Sequence, residues 1–369
     1  MIMKKLTYIV SVLLVSLFAL TSCDKFLTAD NKTAGGKTAE EYFTKDPNSL
    51  LVYAYSLLKP IVAPKIGDQN IYCDGTDLYL PSRGKSPSQY QLYSLTPEFS
   101  DVQTFYSNAY ACINMANAAI YYAGEGNKVA DEAKFIRSYC YYLLAQQFGR
   151  VPYRLEYINN AERNYPLDEP KKIYDGIIAD LKPVIEGARL SAVDQTGHAS
   201  LAAVAALLAK VNLAAGWNVE TKLDEAGVNR TYVVQNTNYF TEAATWAEKA
   251  ISLSGVSDLT LPFADKWSPY NVKNEEVLFA VKYERAGYPG NEAEGGHGLQ
   301  NTFGNYYGDC TTTGEKYTNS LLCPTAKANK LWDVEDKRYE ATFMTVMYNY
   351  ATTWGTEGYY AYYNNTDLN

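Results

Sequence analysis

Residues 131–153 read DEAKFIRSYCYYLLAQQFGRVPY. Phe135, Tyr139, Tyr142, Leu143 and Gln146 fall at i, i+4, i+7, i+8 and i+11, the spacing of one face of an α-helix. Gly149 stands where a left-handed cap ends a helix, and Pro152 blocks continuation. The stretch predicts a helix that stops at its glycine, inside a chain that is mostly α.

The same periodicity extends to both sides. Upstream, Ser100 to Ala123 places Phe105, Ala109, Ile113, Ala116 and Ile120 on one face. Thr38-Ala39-Glu40-Glu41 is a capping box. It opens a helix carrying Tyr42, Phe43, Leu50, Leu51, Ala54, Tyr55 and Leu58 as far as Pro60. Downstream, Lys171 to Gly187 reads as a helix that the internal Pro183 should kink. Ala199 to Gly216 holds eight alanines, small enough for close helix crossings, and Thr241 to Ser252 pairs with it. Helix–turn–helix units in this order resemble a degenerate tetratricopeptide array, although the strict 34-residue consensus is not met. The expectation is a tetratricopeptide-like helical scaffold with long irregular loops and minor β.

Two segments depart from that texture. Residues 61–99 carry four prolines and three glycines, and irregular stretches of that length are usually functional. From Leu253 onward Gly, Asn, Thr and Tyr accumulate. There EEVLFAVKY (275–283) alternates like a strand, and Leu331 to Phe343 reads as a short helix.

The first residues define a compartment. Lys4 and Lys5 precede an apolar run from Leu6 to Ala19. A helix over that run rises ~21 Å, short of the ~30 Å hydrocarbon core, as in a secretory signal. Leu20-Thr21-Ser22-Cys23 resembles the bacterial lipobox, whose cysteine is acylated and becomes the mature N-terminus. The competing reading is an ordinary cleaved signal with a chance cysteine. Removing residues 1–22 leaves 347 residues and takes the formal net charge from −8 to −10, because Lys4 and Lys5 go. An acidic chain without a basic cluster argues against nucleic acid or an anionic lipid surface as partner. Residues 23–37 are expected to be a tether. Residues 38–369 then form a single domain, with a helical scaffold over 38–252 and a loop-rich ligand and partner face over 253–369.

Cys73, Cys112, Cys140, Cys310 and Cys323 form an odd set without a C-x-x-C, and read as buried free thiols. A Cys310–Cys323 bridge is the alternative. The unusual count is 34 Tyr, alongside 12 Phe and 5 Trp. A flat apolar ring with a polar edge suits sugar stacking or partner burial as well as core packing.

Five stretches taken together resemble the SusD/RagB family of outer-membrane nutrient-binding lipoproteins of Bacteroidetes. They are the lipobox with CDKFL (23–27); FYSNAYACINMAN (105–117), where Tyr106 holds a position usually occupied by Trp; residues 132–153; IYDGIIADLKPVIE (173–186) with GHASLAAVAALLAKVNLAAG (197–216); and NYFTEAATWAEKAIS (238–252) with NEEVLFAVKY (274–283). Members usually run longer and end in a block rich in Asn, Pro and Gly that is not found here. The resemblance implies a helical scaffold of four tetratricopeptide-like units with an irregular face that captures glycan. It also implies lipidation at Cys23 and a place as a lid on a SusC-like TonB-dependent transporter, with no reaction catalysed and no cofactor.

The residues agree with a binding protein more than with an enzyme. His198 and His297 stand in no nucleophile-elbow or zinc-helix pattern. His198 reads as structural, and Glu292, Glu294 and His297 as a solvated glycine-rich loop rather than a metal site. Glu275-Glu276 has no second carboxylate in view for glycoside hydrolysis. Ligand contacts are expected from Asp74, Asp77, Tyr79, Arg83 and Tyr90 in the first loop, and from Trp267, Tyr270, Tyr288 and Tyr306 in the later ones. Tyr79, Tyr288 and Tyr306 have loop packing or transporter packing as their competing role. A helical-repeat interaction protein without glycan binding is the alternative function.

Overall fold

The computed structural model describes residues 38–62, 71–82, 86–160, 164–267, 274–282, 321–333, 335–343, 346–348 and 360–362. Cys23, Arg83, Tyr270, Tyr288, His297, Tyr306 and Cys310 lie outside them.

The chain divides into two compact units, Met1–Pro47 and Asn48–Asn369. In the first, α1 (Ala39–Lys45) starts at the expected capping box. Thr38 Oγ1 accepts from the Glu41 amide at 3.2 Å, and Glu41 Oε2 accepts from the Thr38 amide at 3.0 Å. The continuous helix to Pro60 does not form. Pro47 disfavours helical geometry at Asp46, and helix restarts as α2 (Asn48–Leu57) and α3 (Lys59–Val62).

The second unit is built on five helices in sequence: α2, α4 (Ser100–Ala123), α5 (Lys128–Phe148), α6 (Pro170–Gly187) and α7 (Leu201–Gly216). Each packs on the next, α2 on α4 and so on, and α8 (Thr237–Ser254) covers α7. Only four residues join α4 to α5, which makes them an antiparallel hairpin. Asn127 caps α5, accepting from the Ala130 amide at 3.1 Å, and Ser200 caps α7. α5 ends at Gly149 as expected, with φ +69°. α6 runs through Pro183.

The expected stripe on α5 is rotated. Ile136, Cys140, Tyr141 and Leu144 are fully buried, whereas Tyr139, Tyr142 and Leu143 are half-buried. α5 meets α2, α4, α6 and α7, so apolar spacing cannot single out one face. Asp131, Glu132 and Arg137 on it are buried too, and each of these charges finds a partner. Arg137 grips Asp180 of α6 through two nitrogens (2.7–3.1 Å) and reaches Asn117 Oδ1 at 2.7 Å. Asp131 takes Arg189 at 2.7 and 2.9 Å. Burial pushes the Asp180 carboxyl up, while Arg137 pulls it down.

Residues 151–158 run irregularly beside this bundle, and helix side chains satisfy their backbone. Tyr110 donates to Pro152 O, Tyr141 both donates to and accepts from Arg154, and Asn117 donates to Arg154 O and Glu156 O. Asn114 pairs with both backbone groups of Ile158, at 2.9 and 3.0 Å.

Among the described residues, β structure is three antiparallel two-stranded ribbons. β1 (Tyr79–Pro81) pairs with β4 (Leu322–Pro324), β2 (Trp217–Leu223) with β3 (Asn229–Gln235), and β5 (Val346–Tyr348) with β6 (Tyr360–Tyr362). Residues 275–282 do not form the expected strand; they run irregularly, with Phe279 edge-on to Phe135 at 4.9 Å. α9 (Phe263–Lys266), α10 (Ala326–Lys330) and α11 (Lys337–Thr342) are short. Leu331–Phe343 is thus a turn followed by α11 rather than one helix. Cys112 and Cys140 are buried free thiols as expected, whereas Cys73 and Cys323 are only half-buried, on the surface loop and the β1–β4 ribbon.

Candidate functional site

Residues 71–82 and 86–99 are organised by two tight turns. In Cys73–Thr76, Thr76 Oγ1 donates to Cys73 O at 2.8 Å, and Gly75 adopts φ +79°. A Cβ at Gly75 would lie 2.8 Å from Tyr90 O, so the position requires glycine on both counts. In Ser88–Ser94, the Ser88 amide donates to Gln91 Oε1 at 2.7 Å and the Ser94 amide to Gln89 O at 3.0 Å. That turn closes on Tyr93 in the left-handed region (φ +50°), a conformation that costs a non-glycine residue about 1–2 kcal/mol. Tyr93 is 86% exposed, and its hydroxyl donates to Gly75 O at 3.3 Å.

A distant segment completes the loop. The β1–β4 ladder matches Leu80 with Cys323, and it is extended by Ser82 N to Leu321 O (2.9 Å) and Thr325 N to Leu78 O (3.0 Å). Leu321 and Leu322 are buried beneath it. Thr325 caps α10 and donates its hydroxyl to Asp77 O at 2.7 Å, while Lys327 ion-pairs with Asp77. The Lys327 hydrogen bond holds the Asp77 carboxyl below its ordinary value.

Further along, Arg338 forks onto Asp336, which holds that carboxyl at about 2, and lies 5.7 Å over the Trp332 ring. Trp332 and Tyr339 pack against Phe343. α11 then meets α9, whose end carries Trp267, 67% exposed and edge-on to Phe263. Buried Asn274 donates to Lys266 O at 3.1 Å, and Glu276 pairs with Lys266 at 2.5 Å. The Lys266 hydrogen bond keeps the Glu276 carboxyl low, so that carboxylate serves as an anchor. Residues 321–343 thereby touch both the first loop and the Trp267 turn.

The expected contacts divide accordingly. Asp74 is 6% exposed and Tyr90 has its hydroxyl enclosed without a hydrogen-bond partner among the described residues, its ring edge-on to Phe99 at 5.2 Å. Both hold the loop from inside. Asp77 is spent on Lys327, and Tyr79 lies half-buried on β1. Trp267 presents an open ring. Tyr93, Trp332 and Arg338 were not expected from the sequence. Tyr93 sits three residues after Tyr90, and spacing alone cannot tell an enclosed ring from an exposed one.

The histidine reading holds for His198. Its Nδ1 lies 2.8 Å from buried Glu132, which also accepts from Tyr55 at 2.7 Å, so it ties α2, α5 and the start of α7 together. Among the described residues no group of three His, Cys, Asp or Glu is placed to hold a metal, and no helix is long and apolar enough to cross a membrane.

Residues 83–213 match a family model described as starch-binding, associating with outer membrane. SusD-like protein P25 of Formosa agariphila is 23% identical over 326 residues, covering 83% of this chain; the chain spans only 57% of that relative. A SusD superfamily protein from Parabacteroides distasonis superposes with a TM-score of 0.66 at 22% identity, over 86% of this chain and 68% of that one. Surface glycan-binding protein A from Bacteroides thetaiotaomicron, solved in complex with laminarihexaose, gives 0.60 at 15% identity, over 82% and 63%. At these identities the structural matches establish a shared helical fold.

Proposed function

For a chain that belongs to the SusD/RagB family, we propose a non-catalytic role at the outer-membrane surface: it captures oligosaccharide and delivers it to a SusC-like TonB-dependent transporter, tethered by lipid on Cys23. The observation that carries the capture step is Tyr93. A protein rarely spends backbone strain on an aromatic ring and then leaves that ring in water unless something lands on it. With Trp267 it supplies flat apolar faces for the C–H surfaces of pyranose rings. The complex of the Bacteroides thetaiotaomicron protein with laminarihexaose supports a β-glucan-like oligosaccharide as the first ligand to try. Arg83, Tyr270, Tyr288 and Tyr306 stay in the proposed contact set from the sequence alone.

Leu78, Leu80, Leu92 and Leu95, from the same loop segments as Tyr93, are exposed as well. They favour a protein partner beside the glycan, which is the transporter in this reading. The same patch supports the rival function, a helical-repeat interaction protein that binds no glycan. Titration calorimetry against a glycan panel separates the two: heat with an oligosaccharide that falls in Tyr93→Ala and Trp267→Ala supports capture. Silence across the panel favours the interaction protein, and release of reducing sugar would make the protein a hydrolase.

A further inference from the structure

A groove of about 280 Å³ lies on the helical scaffold, on elements that take no part in the loop face. α6 contributes Asp175, Ile178 and Lys182, at i, i+3 and i+7 on one of its faces. α7 contributes Asn212, 1% exposed, whose amide donates to Leu208 O at 2.8 Å. The start of α8 contributes Asn236, Asn238, Tyr239 and Glu242. This start is drawn against the end of α7 at Gly216, where any Cβ would lie 2.3 Å from the Phe240 ring. The backbone bond from Asn236 N to Gly216 O, 2.9 Å, fixes the same approach.

The groove sets polar groups among a larger exposed apolar surface, and its charges balance. Asp175 is held by Lys171 at 2.5 Å and accepts from Tyr239; Lys182 reaches Glu242 across the opening at 3.4 Å. Two ammonium groups face two carboxylates, so neither an anion nor a cation is attracted by net charge. Three amides, a phenol and these pairs bring both donors and acceptors to the lining, as hydroxyl groups require, with the Asn212 amide nitrogen tied to Leu208 O and Asn236 Oδ1 to the Asn238 amide. Ile178 and the Tyr239 ring add an apolar wall. The volume is near the lower end for ligand sites and suits a single sugar ring or a short polyol.

We infer that this groove is a second binding site, for a neutral hydroxyl-rich ligand of about one sugar unit, separate from the loop face. The ligand class leans on the glycan-capture reading; the position and balance of the groove do not. It gives the scaffold a contact with small saccharide that is independent of Trp267 and Tyr93.

The test is side-chain amide NMR on asparagine-labelled protein, titrated with a panel of neutral mono- and disaccharides. The Asn212 and Asn236 amide signals should move with at least one sugar. They should move equally in Trp267→Ala, and binding should weaken at least tenfold in an Asn238→Ala/Glu242→Ala double variant. Both substituted side chains are exposed at the rim, so the fold should survive. Groove signals unmoved by every sugar, or moved equally in the double variant, overturn the inference. Oligosaccharide binding that still depends on Trp267 in that case leaves the loop face standing. Groove signals that move while no oligosaccharide senses Trp267 support the inference and sink the loop face.

Discussion

Lys327 ion-pairs with Asp77 across 250 positions of sequence. The pair closes the end of a ribbon in which Leu80 faces Cys323. Long-range β pairing must repay the entropy of closing its loop, and a three-residue ladder repays little. The buried side chains beneath it carry that burden.

Leu322 is therefore the residue to remove. Leu322→Ala should cost about 2–5 kcal/mol of local or global stability. Amide exchange at Ser82, which donates to Leu321 O, should accelerate with it. Unchanged Ser82 protection would mean that the first loop holds its shape without residues 321–325.

Tyr93 carries backbone strain in the left-handed region. Tyr93→Asn should leave the melting temperature unchanged or raise stability by up to about 1 kcal/mol, because Asn tolerates that region. Oligosaccharide binding should weaken at least tenfold. A clear loss of stability would show that the ring supports the loop instead.

The buried Arg137–Asp180 pair makes the opposite case. Asp180→Ala leaves a guanidinium enclosed between α5 and α6 with one partner fewer, and should destabilise by about 3–5 kcal/mol in denaturant titration. A change below about 1 kcal/mol would mean that water enters freely there.

Asp336 supplies a pH dependence with a definite sign. Its carboxyl sits at about 2 in the fold against an ordinary 3.8, held by Arg338. The tie is thus complete above the ordinary value and is lost as pH falls through about 2. Trp332 fluorescence, sensitive to the guanidinium over its ring, should change between pH 4 and 2, and Asp336→Asn should abolish that change. An identical acid response in the variant would assign it to another group.

What the sequence disclosed follows the range of the interactions. Ser100–Ala123 and the Gly149 stop were legible because caps and periodicity are local. The break at Pro47 is equally local, but the apolar spacing continues across it and masks it. The face of α5 misled because a helix enclosed by four others has no single apolar side. Nothing in Leu78–Pro81 announces a partner near residue 323. The β2–β3 hairpin, turning at Gly227 (φ +74°), carried no expectation either. Within the first loop, composition cannot distinguish Tyr90, closed in, from Tyr93, turned out.

The irregular run 151–158 is held through its main chain by Tyr110, Asn114, Asn117, Arg137 and Tyr141. Those five helix positions must keep their chemistry. So must buried Val151 and half-buried Tyr153, whose ring packs on Tyr141 and against Gly176. Mutational drift should therefore collect at exposed Leu155 and Glu156, which the helices hold through carbonyl groups common to every amino acid.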